Sequence, residues 1–497
     1  MTVFKESWYY IRMKKLVPAL LLSFLLILLS SLISYSAVIS PELETTLART
    51  GTEQEIPVII TLKDKVDLTL FKDGDKDLLR PKLIKALLEK ADSTQTPIKA
   101  FLAERGVKQI RSLWAINGVL FKATPRVIRE VAEQPNIERI RLDQIQTFRD
   151  RFRGIRKYSP RLRSKVRTPP KKIDIPSESP VISADAKSEW NLSAIHASEL
   201  WSKGPKGQGV VVANLDTGVD FDHPDLKSKW RGGKNSWFDP YGEHETPFDA
   251  NGHGTQTMGI MIGGHAGGTA IGVAPGAKWI AVKIYNDSGQ TSLGHCHLGF
   301  QWLLDPDGNP ETDDSPDTVN FSWGFNQYTN KCVNEFDEDV RVLKAAQVTV
   351  IFAGGNEGPH PSTSLSPANH IGSLSVGAIE KSMHIATFSS RGPSACDGGV
   401  YPTLVAPGVI VKTADLTFNG VFPNSSATVT GTSFAAAHVT GAMALLKSAF
   451  PHLTISELES ALRESAQDLG ETGADHIYGY GMINLMAAYD YLLSRKK

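Results

Sequence analysis

The fold is decided by the stretch GVVVANLDTGVD, residues 209–220, in which an apolar, β-branched run is followed by a turn sequence. Three further runs have the same apolar character, and helical stretches separate them: KWIAVKIY (278–285), VTVIFAGG (348–355) and GSLSVGAI (372–379). Continuous apolar strands that alternate with helices indicate a parallel sheet buried on both faces. We therefore expect residues 186–493 to form an α/β domain built on a doubly wound parallel sheet.

A smaller and different pattern precedes this domain. It consists of a strand (56–62), a helix (78–105), two apolar runs around Asn117-Gly118, a helix that begins at Pro125, and a strand (137–142). Asn-Gly between apolar runs is a strong signal for a hairpin. The order β-α-β-β-α-β predicts a small ferredoxin-like α+β domain over residues 54–146. This region has no cluster of catalytic residue types, which indicates a folding or inhibitory module.

Residues 1–39 have the pattern of an export signal. An uncharged apolar run, 16–39, follows four basic residues: Lys5, Arg12, Lys14 and Lys15. The run is also as long as a membrane span, so a cleaved signal peptide and a permanent anchor both stay open. Either one predicts an extracytoplasmic protein, secreted or anchored by this segment, whose contact with a membrane is limited to residues 16–39.

The charge balance argues against nucleic acid as a partner. The 497 residues include 53 basic and 53 acidic ones, so the chain has no overall basic field. Residues 149–172 are the local exception, with 11 Lys or Arg and one Asp. A basic stretch with prolines between two patterned regions predicts an extended, solvated linker, which we place at 147–185. Membrane or nucleic-acid binding by this stretch is the weaker alternative.

Three short segments carry the residue types of nucleophilic catalysis. Asp216 ends the first strand, His253 lies in NGHGT (251–255), and Ser433 lies in GTSFAAAH (431–438). In an open α/β sheet such segments meet outside the carboxyl ends of the strands, where functional crevices lie. A serine hydroxyl needs a base to take its proton, a histidine titrates near neutrality, and a buried carboxylate orients the imidazole. Together the segments predict acyl transfer.

With these segments the chain resembles the subtilisin-like serine proteases, or subtilases, over residues 186–493, and their bacillopeptidase F branch in particular. Five further segments share the resemblance: FSWG (321–324), AGGNEG (353–358), FSSRGP (388–393), APG (406–408) and GYG (479–481). The resemblance implies an endopeptidase that cleaves polypeptides through an acyl-enzyme intermediate. It also implies that Asp216, His253 and Ser433 are the catalytic triad.

The resemblance assigns further site residues and a partner. Asn356 would donate a hydrogen bond to the oxyanion beside the main-chain amide of Ser433. Two segments would pair with an extended substrate and line its first specificity pocket: Ser322, Trp323 and Gly324, and Ala353, Gly354 and Gly355. The upstream ferredoxin-like domain would be a propeptide that inhibits the enzyme within one chain, so that the protein is made as a zymogen.

No cofactor is expected to be required, and a structural calcium ion stays open but unsupported. The loop 263–272 lacks the asparagines and acids of the family's calcium loop, although Asp225 matches one ligand position. The acidic loop 305–314 lacks the glycine that an EF-type loop needs at its sixth position, so we expect it to be a solvated loop.

The three cysteines predict one disulfide and one thiol. Cys332 and Cys396 follow polar loop segments, where a bridge can form in an exported protein. Cys296 has apolar neighbours at helical spacing, so we expect it to be a reduced core residue.

Two alternatives to an exported protease stay open. One is a membrane-tethered processing or signalling protease that keeps residues 16–39. The other is an inactive binding module of the same fold, which the presence of all three triad residue types disfavours.

Overall fold

The structure is a computed structural model that describes residues 37–71, 76–148, 155–156 and 187–495. Of the predicted signal or anchor (1–39), residues 1–36 lie outside the described residues, as does most of the predicted basic linker, whereas Val38 and Ile39 form a strand. Within the described part of the chain, no helix is both long and apolar enough to cross a bilayer. The chain divides into two compact units, of which the first contains residues 37–64, 94–112 and 117–142.

The sheet of the first unit has the ferredoxin-like arrangement. From residue 37 to 142 the elements are β1 (Val38–Ile39), α1 (Pro41–Arg49), β2 (Ile56–Leu62), α2 (Lys76–Glu104), β3 (Ile110–Leu113), β4 (Gly118–Ala123), α3 (Pro125–Ala132) and β5 (Ile137–Leu142). Residues 76–93 of α2 are counted with the second unit. The strand order is β1-β5-β2-β4-β3, and β2 pairs antiparallel with both β4 and β5. Strands β2 to β5 confirm the predicted β-α-β-β-α-β unit, while β1 and α1 were not predicted.

The connection between β3 and β4 differs from the short hairpin predicted at Asn117-Gly118. Trp114–Ile116 form a 3-10 turn, and Asn117, with φ of 47°, precedes the first residue of β4. Ala115 and Ile116 are each 3% exposed. The chain therefore uses a longer connection that buries two apolar side chains, and Asn117 supplies the left-handed conformation at its end.

The second unit contains the predicted α/β domain. Its strands are β6 (Ile145–Thr147), β7 (Ile155–Arg156), β8 (Val211–Asp216), β9 (Trp237–Phe238), β10 (Lys278–Lys283), β11 (Gln290–Ser292), β12 (Thr318–Phe321), β13 (Thr349–Ala353), β14 (Leu374–Ile379), β15 (Leu404–Pro407), β16 (Val411–Ala414) and β17 (Ser426–Val429). Its helices are α4 (Trp190–Ala194), α5 (Ala197–Ser202), α6 (Pro224–Lys227), α7 (His253–Ile262), α8 (Leu293–Leu304), α9 (Asp337–Ala345), α10 (Thr432–Ala449), α11 (Ile455–Glu464) and α12 (Leu485–Arg495).

The main sheet has seven parallel strands in the order β15-β14-β13-β12-β8-β10-β9, which confirms the predicted fold. Strand β8 lies between β10 and β12, so the chain turns in opposite directions on its two sides. Ligands bind at such a reversal point in open α/β sheets. The carboxyl end of β8 is Asp216, and the fold thus places this carboxylate where a site is expected.

Two smaller sheets and one disulfide complete the second unit. Strand β6 pairs antiparallel with β11, and β17 pairs antiparallel with both β16 and β7. Cys332 and Cys396 form a disulfide with 4.8 Å between their Cα atoms, as predicted. Cys296 is a buried thiol on α8, also as predicted.

Candidate active site

The structure brings His253 and Ser433 to one cavity, and Asp216 is hydrogen-bonded to His253. His253 Nδ1 lies 2.8 and 2.9 Å from the two carboxylate oxygens of Asp216, so its N–H donates to the carboxylate. Asp216 is 3% exposed, His253 5% and Ser433 8%. His253 and Ser433 both line the cavity, which has a volume of about 300 Å³. A carboxylate that accepts from Nδ1 leaves Nε2 as the ring nitrogen that can take a proton.

Glycines next to the histidine make this contact possible. A Cβ on Gly254 would lie 2.1 Å from the carbonyl oxygen of Gly218 and 3.2 Å from the Asp216 Cβ. Gly218 itself has a φ of 113°, a conformation that favours glycine. The close approach of α7 to the end of β8 therefore explains the glycine after His253, and a φ of 106° explains the glycine before it.

Asp249 holds the first turn of α7 and was missed by the sequence analysis. Its Oδ1 accepts from the main-chain amides of Asn251 and Gly252, and its Oδ2 accepts from the amide and hydroxyl of Thr255. The carboxylate satisfies amide groups that the start of a helix leaves without partners. No signal in the sequence marks Asp249, because one aspartate in a loop is common.

Ser433 lies at the start of the buried helix α10, one residue after its first. Its hydroxyl donates to the Ser322 carbonyl at 3.5 Å, a long and weak contact. The main-chain amide of Ser433 belongs to the first turn of α10, where no carbonyl within the helix accepts from it. Such an amide stabilises negative charge that develops close to it.

Asn356 is oriented by Thr432. Its Oδ1 accepts from the main-chain amide of Thr432 at 3.0 Å and from the hydroxyl at 2.9 Å. Because the carbonyl end of the amide is fixed in this way, Nδ2 is the end that can donate to a group in the cavity, which Asn356 also lines. The expected donor and the expected nucleophile are thus neighbours in the same cleft.

Buried asparagines connect the ends of the strands under the site. Asn214 donates to the Gly254 carbonyl and to Thr257, and its own Oδ1 accepts from Asn320. Asn320 also donates to Ser322 Oγ, which in turn donates to the Ser433 carbonyl. This network joins β8, α7, β12 and α10, so the positions of His253 and Ser433 are coupled through buried hydrogen bonds.

Five of the six predicted wall residues line the cavity: Ser322, Trp323, Gly324, Ala353 and Gly355. Gly354 does not, because its amide donates to Val376 and its carbonyl accepts from the hydroxyl of Tyr401. Leu365, 2% exposed, completes the wall. Among the described lining residues His253 is the only titratable one, so the cavity is otherwise neutral.

The chain's own residues 145–148 also line the cavity, which the sequence analysis missed. β6 forms an antiparallel ladder with β11, and the Phe148 amide donates to the Gly289 carbonyl at 2.8 Å. The ring of Phe148 packs edge-on against His253 at 5.0 Å and against Tyr285 at 5.1 Å. A strand of three residues gives too weak a sequence pattern to be recognised, and our predicted linker began at residue 147.

A buried lysine, Lys229, lies close to Asp225, the residue that the resemblance links to calcium. Lys229 is buried and donates to the Ile262 carbonyl, and its Nζ and Asp225 Oδ1 both lie close to Gly264. Burial lowers the pKa of Lys229 to about 8, although the charge of Asp225 opposes the shift. A fixed ammonium beside the one matching acid does not fit a divalent cation, so these residues do not support calcium here.

The geometry defines a class of protein: a parallel α/β fold with an Asp-His-Ser cluster at the sheet reversal. A family model described as the Subtilase family matches residues 207–481, more than half of the chain. The chain therefore belongs to the subtilase family, whose members are serine-type endopeptidases.

Three relatives show how far the similarity extends. Bacillopeptidase F of Bacillus subtilis (strain 168) is 31% identical over 437 residues, which cover 82% of this chain and 28% of that protein. Subtilisin Savinase of Lederbergia lenta is 33% identical over 301 residues, 60% of this chain and 97% of that protein. The major intracellular serine protease of Bacillus subtilis (strain 168) is 34% identical over 264 residues, 52% of this chain and 74% of that protein.

Proposed function

We propose that the protein hydrolyses peptide bonds through Asp216, His253 and Ser433. Ser433 Oγ attacks the scissile carbonyl carbon while His253 Nε2 takes its proton, and His253 then gives that proton to the leaving amine. Water, activated by the same histidine, releases the acyl group from Ser433. The observation that carries the proposal is that the Asp216–His253 pair and Ser433 meet at one cavity on the reversal point of the sheet.

The negative oxygen of the tetrahedral intermediate needs donors that are already in place. Asn356 Nδ2 and the Ser433 amide supply them in this proposal, since Thr432 fixes the amide plane of Asn356. Fixed donors act mainly when the charge develops, so their loss lowers turnover more than substrate affinity.

The mode of substrate binding follows from strand β6. A peptide in extended form would add to the edge of β11 by main-chain hydrogen bonds, as residues 145–147 do. Its side chain next to the cleaved bond would enter the neutral cavity between Trp323 and Leu365. We therefore expect cleavage after uncharged, apolar residues rather than after lysine, arginine or acids.

The position of β6 also supports the proposal that the protein is made as a zymogen. Residues 145–148 take the place that we assign to substrate, and they overlap the carboxyl end of the domain that we predicted as a propeptide (54–146). The alignment with bacillopeptidase F covers more of this chain than residues 187–497 could supply, so it includes residues upstream of the peptidase domain. We infer that the upstream domain inhibits the enzyme until the chain is cut between residues 147 and 190.

Export is part of the proposal and rests on the sequence pattern of residues 1–39. A secreted protein and one anchored by residues 16–39 remain the two candidates. Cell fractionation without detergent separates them: a secreted form is recovered in the medium, whereas an anchored form sediments with membranes.

One experiment tests activity and processing together. The full chain and its Ser433→Ala variant are expressed, and the N-terminus of each product is read by mass spectrometry. We expect the parent to lose its upstream domain and the variant to keep it, with no hydrolysis by the variant. Ser382→Ala, a change at an exposed serine outside the cavity, is the matched control and should behave as the parent. Processing of Ser433→Ala in a protease-free host would contradict self-cleavage.

A further inference from the structure

A second cavity, with a volume of about 270 Å³, lies at the amino ends of strands β14 and β15. Its lining includes Leu374, the first residue of β14, Thr403, which precedes β15, and Glu459 and Arg463 of helix α11. The first cavity instead reaches Ala353, the last residue of β13. Because the strands are parallel, the two cavities lie at opposite ends of the sheet, and the second one has no part in the proposed hydrolysis.

The lining of the second cavity has equal numbers of acidic and basic side chains. Lys344 and Arg463 supply two positive charges, and Asp397 and Glu459 supply two negative ones. His370 also lines the cavity, and its Nε2 is bound to a main-chain carbonyl at 2.8 Å. Charges on a ligand and on its site are complementary in specific binding. Separate groups of both signs therefore fit a ligand that has one charge of each sign.

Arg463 is the cation of this cavity that has no anionic partner. In the described part of the chain, its guanidinium forms neither an ion pair nor a hydrogen bond, and its Nε is buried. The guanidinium carbon lies 5.7 Å from the centre of the Tyr480 ring, which also lines the cavity. The planar guanidinium has five N–H donors in a fork that matches a carboxylate. A ligand carboxylate would thus supply the acceptor that Arg463 lacks among these residues.

Glu459 lies one helical turn before Arg463 and offers an acceptor. It is 9% exposed, and its Oε2 accepts from Lys344 Nζ at 3.1 Å. Its Oε1 is buried and has no hydrogen-bond partner among the described residues, which is costly for a carboxylate. Side chains four residues apart on a helix have Cβ atoms about 5–6 Å apart. One small ligand can therefore reach both Glu459 and Arg463.

Apolar groups of the lining provide a surface for an uncharged part of the ligand. Ile371 is 78% exposed and Tyr480 is 39% exposed, and both line the cavity. Tyr401, 1% exposed, is fixed below them in the lining, because its hydroxyl accepts from the Leu365 amide at 3.3 Å and donates to the Gly354 carbonyl. A preformed cavity that combines apolar side chains with a few polar groups is typical of small-molecule sites.

We propose that the second cavity binds a small zwitterion with an apolar side chain. This is the chemistry of an apolar α-amino acid, and also of a short peptide with free ends. Arg463 would bind the carboxylate, Glu459 Oε1 would accept from the ammonium, and Ile371 and Tyr480 would contact the apolar side chain. Both charges of the ligand are then paired, and the two buried polar atoms of α11 gain partners.

The test measures binding directly on the full chain with Ser433→Ala, so its result does not depend on the proposed hydrolysis. Titration calorimetry with L-phenylalanine and with the dipeptide alanylphenylalanine distinguishes the two sources of this chemistry, since the better-fitting one binds more tightly. N-acetylphenylalanine lacks the ammonium, and phenylalanine amide lacks the carboxylate. Each should bind at least about tenfold more weakly than L-phenylalanine, because a charge-assisted hydrogen bond is lost.

Variants of α11 assign each charge to one residue. Arg463→Gln should weaken the binding of L-phenylalanine by at least about tenfold and leave that of phenylalanine amide unchanged, because the amide has no carboxylate. Glu459→Gln should weaken L-phenylalanine in the same way and leave N-acetylphenylalanine unchanged. Arg495→Gln is the matched control: Arg495 lies 4.7 Å from the centre of the Tyr491 ring, outside the cavity, and its loss should not affect binding.

A purely structural role of the two residues would give a different result, since a disturbed cavity weakens all four probes equally. The melting temperature of each variant is recorded, and if Glu459→Gln does not fold, Arg463→Gln alone decides. Equal affinity of the parent for charged and capped probes, or no binding of L-phenylalanine and the dipeptide at millimolar concentration, would overturn the proposal. Undiminished binding by Arg463→Gln would do the same, because it would place the ligand elsewhere, such as in the first cavity.

Discussion

Two buried histidines, each bound to a carboxylate, differ in what surrounds them. His253 donates from Nδ1 to Asp216 and has its other face on the cavity. His297, on α8, has both ring nitrogens bound to carboxylates, Nδ1 to Asp339 at 2.8 Å and Nε2 to Glu335 at 3.0 Å. A base needs one ring nitrogen that can accept a proton. His297 has a carboxylate on each ring nitrogen and so has no nitrogen left to accept a proton. It forms a structural ion pair, whereas His253 keeps one nitrogen for catalysis.

The pKa of His297 follows from both of its carboxylate partners. Burial alone would lower it, but the charge and hydrogen bond of Asp339, together with those of Glu335, raise the pKa of His297 to about 9. The imidazole is therefore charged at neutral pH, and both of its N–H groups donate. It cannot act as a base there, whereas it can neutralise two buried acids.

The largest effect is expected at His253. His253→Gln should lower turnover by about 10⁶-fold, because the proton of Ser433 Oγ then has no acceptor. Its melting temperature should stay close to that of the parent. Steady-state kinetics and thermal denaturation on the same preparation check both values. A variant that keeps a tenth of the activity, after contaminating proteases are excluded, would refute the role of His253.

The second-largest loss of turnover is expected for Asn356→Ala. The change removes one donor to the oxyanion and should lower kcat by about 10²–10³-fold with KM nearly unchanged. The Michaelis parameters on a short peptide substrate measure this. A rise in KM at constant kcat would show that Asn356 binds substrate in the ground state instead.

At His297 we expect a loss of stability and no change in turnover, the opposite of the two preceding variants. His297→Gln should lower the free energy of unfolding by about 3 kcal/mol, because Asp339 and Glu335 are left buried without their cation. The kcat of the folded enzyme should not change. His244→Gln is the control, since His244 pairs with the half-exposed Asp287 at the surface and should cost less than about 1 kcal/mol. Loss of kcat without loss of stability would contradict the structural role of His297.

The stabilisation by His297 should depend on pH. Its folded pKa, about 9, lies above the unfolded value of 6.5, so the contribution is complete below pH 6.5 and disappears as the pH rises through 9. The difference in unfolding free energy between parent and His297→Gln, both with Ser433→Ala, should shrink by about 2 kcal/mol between pH 7 and 10. A difference that is constant with pH would exclude a charged His297.

A third buried histidine gives a pH effect of the opposite sign. Burial lowers the pKa of His438 to about 4, only partly offset by the hydrogen bond from Nδ1 to the Phe434 carbonyl. The unfolded state then binds more protons between pH 4 and 6.5, so His438 destabilises the fold as the pH falls through that range. Denaturant unfolding of parent and His438→Gln at pH 7 and 5 should show a loss of about 2 kcal/mol in the parent alone. An equal loss in both proteins would show that other groups cause it.

The sequence predicted the parts of the site that depend on local signals. Asp216 ends an apolar strand, and the glycines around His253 and before Ser433 mark helix starts, so the three segments could be recognised one by one. Asn356 and the wall segments came from family resemblance.

The features that the sequence did not predict depend on contacts between residues that are far apart in the sequence. The partners of His297 lie 38 and 42 residues away, so nothing near His297 marks it as an ion pair. Strand β6 pairs with residues more than 140 positions later, and Lys229 donates to a carbonyl 33 residues later. Such contacts are fixed by how the elements pack, which a residue pattern does not show.

The most direct test of the proposed triad is covalent labelling of its nucleophile, Ser433. The processed protein is treated with a fluorophosphonate, which phosphonylates a serine whose proton is taken by a neighbouring base, and the label is located by peptide mass spectrometry. We predict one label per molecule, on Ser433, with parallel loss of hydrolysis, and no label in His253→Gln. A label on another serine, or full activity after Ser433 is modified, would contradict the proposed triad.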